Sequence, residues 1–118
     1  MENQILQFQN NWNNKLNCKA FTTLRLRNDK KYHTGAKFEV QLKGVSKGTA
    51  TVKAVSYCQL DKISDYFAYL DTGYPADECR KIIREMYKKY PTLNWATQDI
   101  VFVLLVFDDK KEMNNLFD

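Results

Sequence analysis

The segment Phe21-Thr22-Thr23-Leu24-Arg25-Leu26-Arg27 constrains this chain more than any other. Its period-two pattern predicts a strand over 21–27, with Thr22, Leu24 and Leu26 on one face and Phe21, Thr23, Arg25 and Arg27 on the other. An unpaired guanidinium is too costly to drive into an apolar core. One face of the strand must therefore cover a core while Thr23, Arg25 and Arg27 turn toward solvent or a polar cleft. A hydroxyl beside guanidinium groups offers mixed donors and acceptors, which suits an anionic or hydrogen-bonding ligand. The three side chains are expected on one concave, accessible surface, with Leu24 and Leu26 buried.

The remaining elements follow from periodicity. Ile5, Phe8, Trp12 and Leu16 recur at helical spacing and predict an amphipathic helix, weakened by the asparagines between them. After a polar turn at 28–31 and the pair Thr34-Gly35, the cleanest strand alternates Ala36, Phe38, Val40 and Leu42 with Lys37, Glu39, Gln41 and Lys43. A turn at 44–48 leads to a third strand over 49–57. There Ala50, Val52 and Ala54 fall out of phase with Val55 and Tyr57, the sign of a bulge. Leu60, Ile63, Phe67 and Leu70 place a short helix at 60–71, broken by Asp71-Thr72-Gly73-Tyr74-Pro75. A longer helix over 76–90 carries Cys79, Ile82, Ile83, Met86 and Tyr90 as its apolar stripe. Asp77 and Glu78 complement the dipole at its start, and Lys88 and Lys89 at its end. Residues 100–107 are apolar enough for a strand buried on both faces. The order α-β-β-β-α-α-β is an α+β arrangement, a small curved mixed sheet or barrel flanked by helices. One domain spans 1–118, with a core at about 5–108 and a polar tail at 109–118.

Composition narrows the function classes. A chain of 118 residues that is 44% hydrophobic and 14% aromatic folds rather than staying disordered, and its net charge of +4 permits an anionic partner without demanding one. Cys18, Cys58 and Cys79 are far apart, without CxxC or Cys/His ligand spacing, so no metal site is expected and free thiols in a reducing compartment are. His33, the one histidine, has no partner at ligand spacing and reads as a surface residue. No Gly-rich phosphate loop or Ser-His-Asp set is present, and no cofactor is expected. The start of the chain lacks the pattern of a signal peptide, and the longest apolar run is too short to span a bilayer. The expected location is the cytoplasm, away from membranes.

A helix with few apolar anchors, a Thr-x-Arg strand (Thr23 and Arg25) and a Thr-Gly turn (Thr34-Gly35) opening an alternating strand together resemble the ASCH domains of the PUA-like superfamily. The later Tyr90-Pro91 and the final strand ending Val106-Phe107-Asp108 fit the same layout. The resemblance covers roughly residues 8–108 and implies a small β-barrel-like fold with a cleft between sheet and helices. Such clefts are associated with RNA or modified nucleobases. Within that superfamily the chain is most similar to small bacterial amidohydrolases that deacetylate N4-acetylcytidine, whose catalytic set is a lysine, a threonine and a glutamate. An ungapped match puts the threonine on Thr23 and the strand arginine on Arg25. The lysine position falls on Ala20, with Lys19 one residue earlier, and the glutamate falls near Asp71, one methylene shorter.

The resemblance implies a binding cleft for RNA or a nucleobase-like ligand, and the arginine face with the net positive charge predicts weak, salt-sensitive affinity for single strands. Lys19, Thr23, Arg25 and Arg27 would form its polar floor, with Asp71, Tyr69 and neighbouring tyrosines at the rim. The alternative is an amidohydrolase on an N4-acylated cytosine, with Thr23 as nucleophile and Asp71 handling the proton. Without a lysine at position 20, little hydrolysis is expected. A third reading is a small protein-interaction domain. Each residue also has a plainer role: Arg25 and Arg27 as partners of Asp29, Asp61 or Asp65, Lys19 as a surface charge, and Asp71 as a turn stabiliser. Tyr32 could stack on a base or cover a core edge, and Trp12 and Trp95 read as core.

Overall fold

In the computed structural model, which describes residues 4–108, the period-two segments join one five-stranded sheet. Strands β1 (Gln4–Phe8), β2 (Ala20–Leu26), β3 (Lys37–Leu42), β4 (Val45–Gln59) and β5 (Asp99–Phe107) stand in the order β1-β3-β4-β5-β2. β1 runs parallel to β3, and the other neighbours are antiparallel. Helices α1 (Asp65–Thr72) and α2 (Ala76–Met86) lie in the connection from β4 to β5.

β1 and β2 are the sheet's two edges, yet curling brings them face to face. The rings of Phe8 and Phe21 meet edge-on with centroids 5.9 Å apart. Arg25 Nη2 donates to the Gln7 carbonyl at 2.8 Å. The sheet is thus a half-barrel with an open seam between β1 and β2. Its concave face is filled by Phe38, Val40, Ala50, Val52, Val101, Val103, Leu105 and Phe107, all buried. On the convex face, Ala68, Ala76, Cys79 and Ile83 pack with Leu24, Leu60, Ile63 and Ile100. Ser64 caps α1 by accepting from the Phe67 amide, and Gly73 ends it in the left-handed region at φ 81°.

The α+β class and curved sheet are as expected, while several elements differ in detail. The N-terminal helix is instead β1 followed by a 3₁₀ segment at Trp12–Asn17. Leu6 and Phe8, two apart, are buried, whereas Ile5 is half exposed. Asparagine disfavours an α-helix, and Asn14 turns the chain with φ 53°. The turn before β4 is tighter than expected. Lys43 and Gly44, both at positive φ, close it as a two-residue hairpin loop, so β4 starts at Val45 and Gly48 falls within the strand. The bulge in β4 sits between Val52 and Ala54. The first helical stretch splits into a 3₁₀ turn at Leu60–Lys62 and α1, and α2 stops at Met86, four residues early. β5 is fully buried only on its concave face. Phe67 stacks on Phe102 at 4.4 Å, but Leu104 and Val106 remain half-buried because the helices do not reach them. Tyr32 is core, stacked on Phe38, and Trp95 is half-buried beside Tyr87. The Trp12 side chain and the tail at 109–118 lie outside the described residues.

Candidate functional site

The seam opens into a cavity of about 210 Å³ between β1, β2 and α2. β2 has no strand beyond it, so side chains from both of its faces reach this space. Thr23 and Arg25 enter from the concave side, and Leu24 enters from the convex side. Phe8, Ile82, Ile83 and Met86 supply apolar walls, and Gln7, Gln9 and Asn10 line it from the β1 side.

The polar end is built around a buried ion pair. Lys15 Nζ lies 2.9 Å from Asp71 Oδ1, and the two side chains are 6% and 5% exposed. Lys15 comes from the 3₁₀ segment, Asp71 from the last turn of α1. Thr22 donates from the convex face of β2 to the same Oδ1 at 3.1 Å. Both hydrogen bonds fall on Oδ1, which leaves Oδ2 for a ligand. Beside this pair, the buried Thr23 hydroxyl accepts from Arg25 Nε at 3.0 Å. The Arg25 guanidinium lies over the Phe8 ring at 4.7 Å, and the Lys15 amine is 5.2 Å from the same ring centroid. Thr72 donates to the Ala68 carbonyl and fixes the turn that carries Asp71. Behind it, burial and the nearby Asp71 push the Cys79 thiol up to about 11, so this cysteine is an inert packing group.

Burial lowers the Lys15 pKa from its ordinary 10.5. Asp71 opposes this by charge and hydrogen bond, and Arg25 adds a further lowering. The folded state then holds that proton more weakly than the unfolded chain, which binds more protons in the interval between the two pKa values. Stability should rise with pH through that interval, from the lowered folded pKa up to 10.5. Urea melts at increasing alkaline pH toward 10.5 should show the rise in the wild type but not in Lys15→Met/Asp71→Leu, which lacks both charges. Parallel pH profiles for the two proteins would contradict the lowered lysine.

Of the residues singled out by sequence, Thr23, Arg25 and Asp71 come together here. Leu24 is buried as expected, but Leu26 is only half-buried. Thr23 itself is not accessible, at 2% exposure. Arg27 departs from the shared surface. It pairs with Asp29 and Asp99 and lies 3.9 Å over the Tyr57 ring. Lys19 is an exposed residue next to the start of β2, Tyr69 is half-exposed on α1, and neither lines the cavity. Asp71 is a buried ion-pair partner rather than a turn stabiliser. Ala20, where the lysine was missing, is the exposed first residue of β2. The cavity's amine is Lys15, which sequence reasoning missed. Its one signal was isolation: it is the only charged residue between Glu2 and Lys19. Among the described residues there is no cluster of three metal-ligating side chains, and no helix is long and apolar enough to cross a membrane.

No family model matches the sequence, and no curated protein matches it. Solved structures match in fold. Protein EF3133 from Enterococcus faecalis, of family DUF984, superposes with a TM-score of 0.67 at 11% identity, over 92% of this chain and 82% of that one. An ASCH domain from Lactobacillus crispatus superposes with a TM-score of 0.58 at 14% identity, over 80% of this chain and 68% of that one. The half-barrel with its two helices is therefore the fold that this chain shares with the EF3133 and ASCH domain structures.

Proposed function

We propose that the seam cavity binds a single nucleobase-like ring, presented by a nucleoside or by an unpaired base of RNA. The observation that carries this reading is a cavity of about 210 Å³ with apolar walls and a buried Lys15–Asp71 pair beside Thr23 and Arg25. Apolar walls around a few convergent polar groups are the usual make-up of a small-ligand site. The volume suits one ring and its substituents, not a helix or several stacked bases. Lys15 Nζ and Arg25 supply donors, and Asp71 Oδ2 supplies an acceptor, for the hydrogen-bonding edge of a base.

The position of Lys15 favours a second reading, amide hydrolysis at an N4-acylated cytosine. A threonine hydroxyl needs a base to become a nucleophile, and a lysine serves as one when burial lowers its pKa. In this reading Lys15 first gives up its proton to solvent, and Thr23 Oγ then attacks the acyl carbon as the Lys15 amine takes the hydroxyl proton. Arg25 faces the oxygen that gains negative charge. Collapse breaks the C–N bond and the amine leaves with the proton from Lys15; water then attacks the acyl ester on Thr23 while Asp71 takes its proton, and Asp71 returns that proton to Thr23 Oγ as the acyl C–O bond breaks and the carboxylic acid leaves. Calorimetry with cytidine and N4-acetylcytidine tests the first reading, and chromatographic detection of cytidine released from N4-acetylcytidine tests the second. Binding should occur, and Thr23→Ala should retain it while losing turnover. Absence of binding by cytidine, N4-acetylcytidine and their phosphorylated or carboxylated relatives alike removes the first reading. Release that persists in Thr23→Ala, or no release at all, removes the second.

A further inference from the structure

The chain has four arginines. Arg27, Arg80 and Arg84 each face a carboxylate: Asp29 and Asp99, Asp77, and Asp61 respectively. Arg25 is the exception among the described residues, and it is the one that lines the cavity. Its Nε goes to the Thr23 hydroxyl and its Nη2 to the Gln7 carbonyl, both neutral acceptors, and it is only half-buried. Its charge is therefore uncompensated, and Nη1 is uncommitted. The cavity's one carboxylate, Asp71, is already held by Lys15. A second cation, Lys31, stands over the Tyr32 ring in the loop after β2. The charge of Arg25 acts on Lys31, whose pKa is lowered first by burial and then by that charge. Holding two like charges near each other without an anion costs stability, and an arriving oxyanion removes that cost.

We infer that the ligand of the seam cavity is an anionic ring compound, whose phosphate or carboxylate is received by Arg25 beside the base-like ring. The inference rests on the nucleobase reading above and narrows it, because a neutral nucleoside leaves the Arg25 charge unanswered. A planar guanidinium backed by the Phe8 ring is preorganised to meet an oxyanion with little loss of side-chain freedom.

The test compares three probes by calorimetry at low and moderate salt: cytidine, cytidine 5′-monophosphate and orotate, a pyrimidine carrying a ring carboxylate. At least one anionic probe should bind about tenfold or more tightly than cytidine, the size of effect expected for a charge-assisted hydrogen bond. That preference should shrink as salt rises. It should vanish in Arg25→Gln and survive in Arg25→Lys, a pair of variants that separates loss of charge from loss of the seam contact. Preference for the monophosphate assigns the oxyanion to a nucleotide phosphate, and preference for orotate assigns it to a carboxylate on the ring. Equal binding of all three probes overturns the inference while leaving the nucleobase reading intact. A preference that persists in Arg25→Gln overturns the role of Arg25. Binding of none of the three overturns both.

Discussion

Lys15→Met should lower the stability of the fold by about 3–4 kcal/mol at pH 7, among the largest losses available to a single substitution in this chain. The two charges are 2.9 Å apart with almost no exposure, so removing the amine strands a buried carboxylate whose remaining hydrogen bond comes from Thr22. The loss has a ceiling. A stranded carboxyl can take up a proton instead of staying charged, which from an ordinary aspartate pKa costs about 4 kcal/mol at pH 7 and about 1.5 kcal/mol at pH 5. The penalty of Lys15→Met should therefore shrink as pH falls. Replacing both members, Lys15→Met with Asp71→Leu, should recover most of the stability, because two apolar side chains need no desolvated charges. Urea melts of the three variants at pH 5 and 7 provide the check. A Lys15→Met penalty below 1 kcal/mol, or one independent of pH, would mean that the pair is wetter than its geometry indicates. A recovered but functionally silent double variant would show a fold that keeps a costly pair for its ligand and not for itself.

That pair also marks the limit of what the sequence made legible. Strands β2 and β3 and helix α2 were readable because their side-chain periods report directly which face is covered, and β5 because its apolar run is too short for anything but a covered strand. Thr23 and Arg25 were nameable because the strand pattern and the ASCH resemblance pointed to the same positions, and Asp71 because the resemblance put a carboxylate near it. Lys15 was not, for a topological reason. The segment 5–16 satisfies both a helical and a strand pattern, and only pairing of β1 with β3 settles it. Once that segment is read as a helix, Lys15 falls at the edge of the apolar stripe, one place before Leu16, and reads as a charge flanking the covered face with its amine in solvent. The same ambiguity hid the seam, because a cavity between two edge strands needs β1 to exist. Arg27 failed in the opposite direction. Period two put it on the face of Thr23 and Arg25, but Asp99 lies directly beyond the end of β2 on its neighbour β5, and a local ion pair with Asp29 captured the guanidinium. Alternation reports where a side chain starts. It does not report where a long, charged one ends.

Phe38→Ala should be the most damaging change to the apolar interior, costing about 3–5 kcal/mol and lowering Tm by roughly 10–20 °C. Phe38 is completely buried at the centre of the concave face, on the strand that joins parallel β1 to the rest of the sheet. Tyr32 stacks on it with ring centroids 5.7 Å apart, so truncation also removes the support of a second buried ring. The half-barrel is closed on this side by hydrogen-bonded strands, which cannot move inward to fill the space without breaking register at Gln4 and Ala50, the partners of Phe38 on each side. A cavity therefore remains, and its loss of contacts adds to the lost transfer free energy. Phe67 provides the control. It stacks on Phe102 more closely still, at 4.4 Å, but both rings are only half-buried, and α1 can settle toward the sheet when one is removed. Phe67→Ala should cost less than half as much as Phe38→Ala, and Phe38→Leu, which keeps most of the volume, only about 1 kcal/mol. Thermal melts of these three variants test the order. If Phe67→Ala proved as damaging as Phe38→Ala, the helix layer and not the curled sheet would be the principal source of stability, and the seam cavity would be framed by its weaker half.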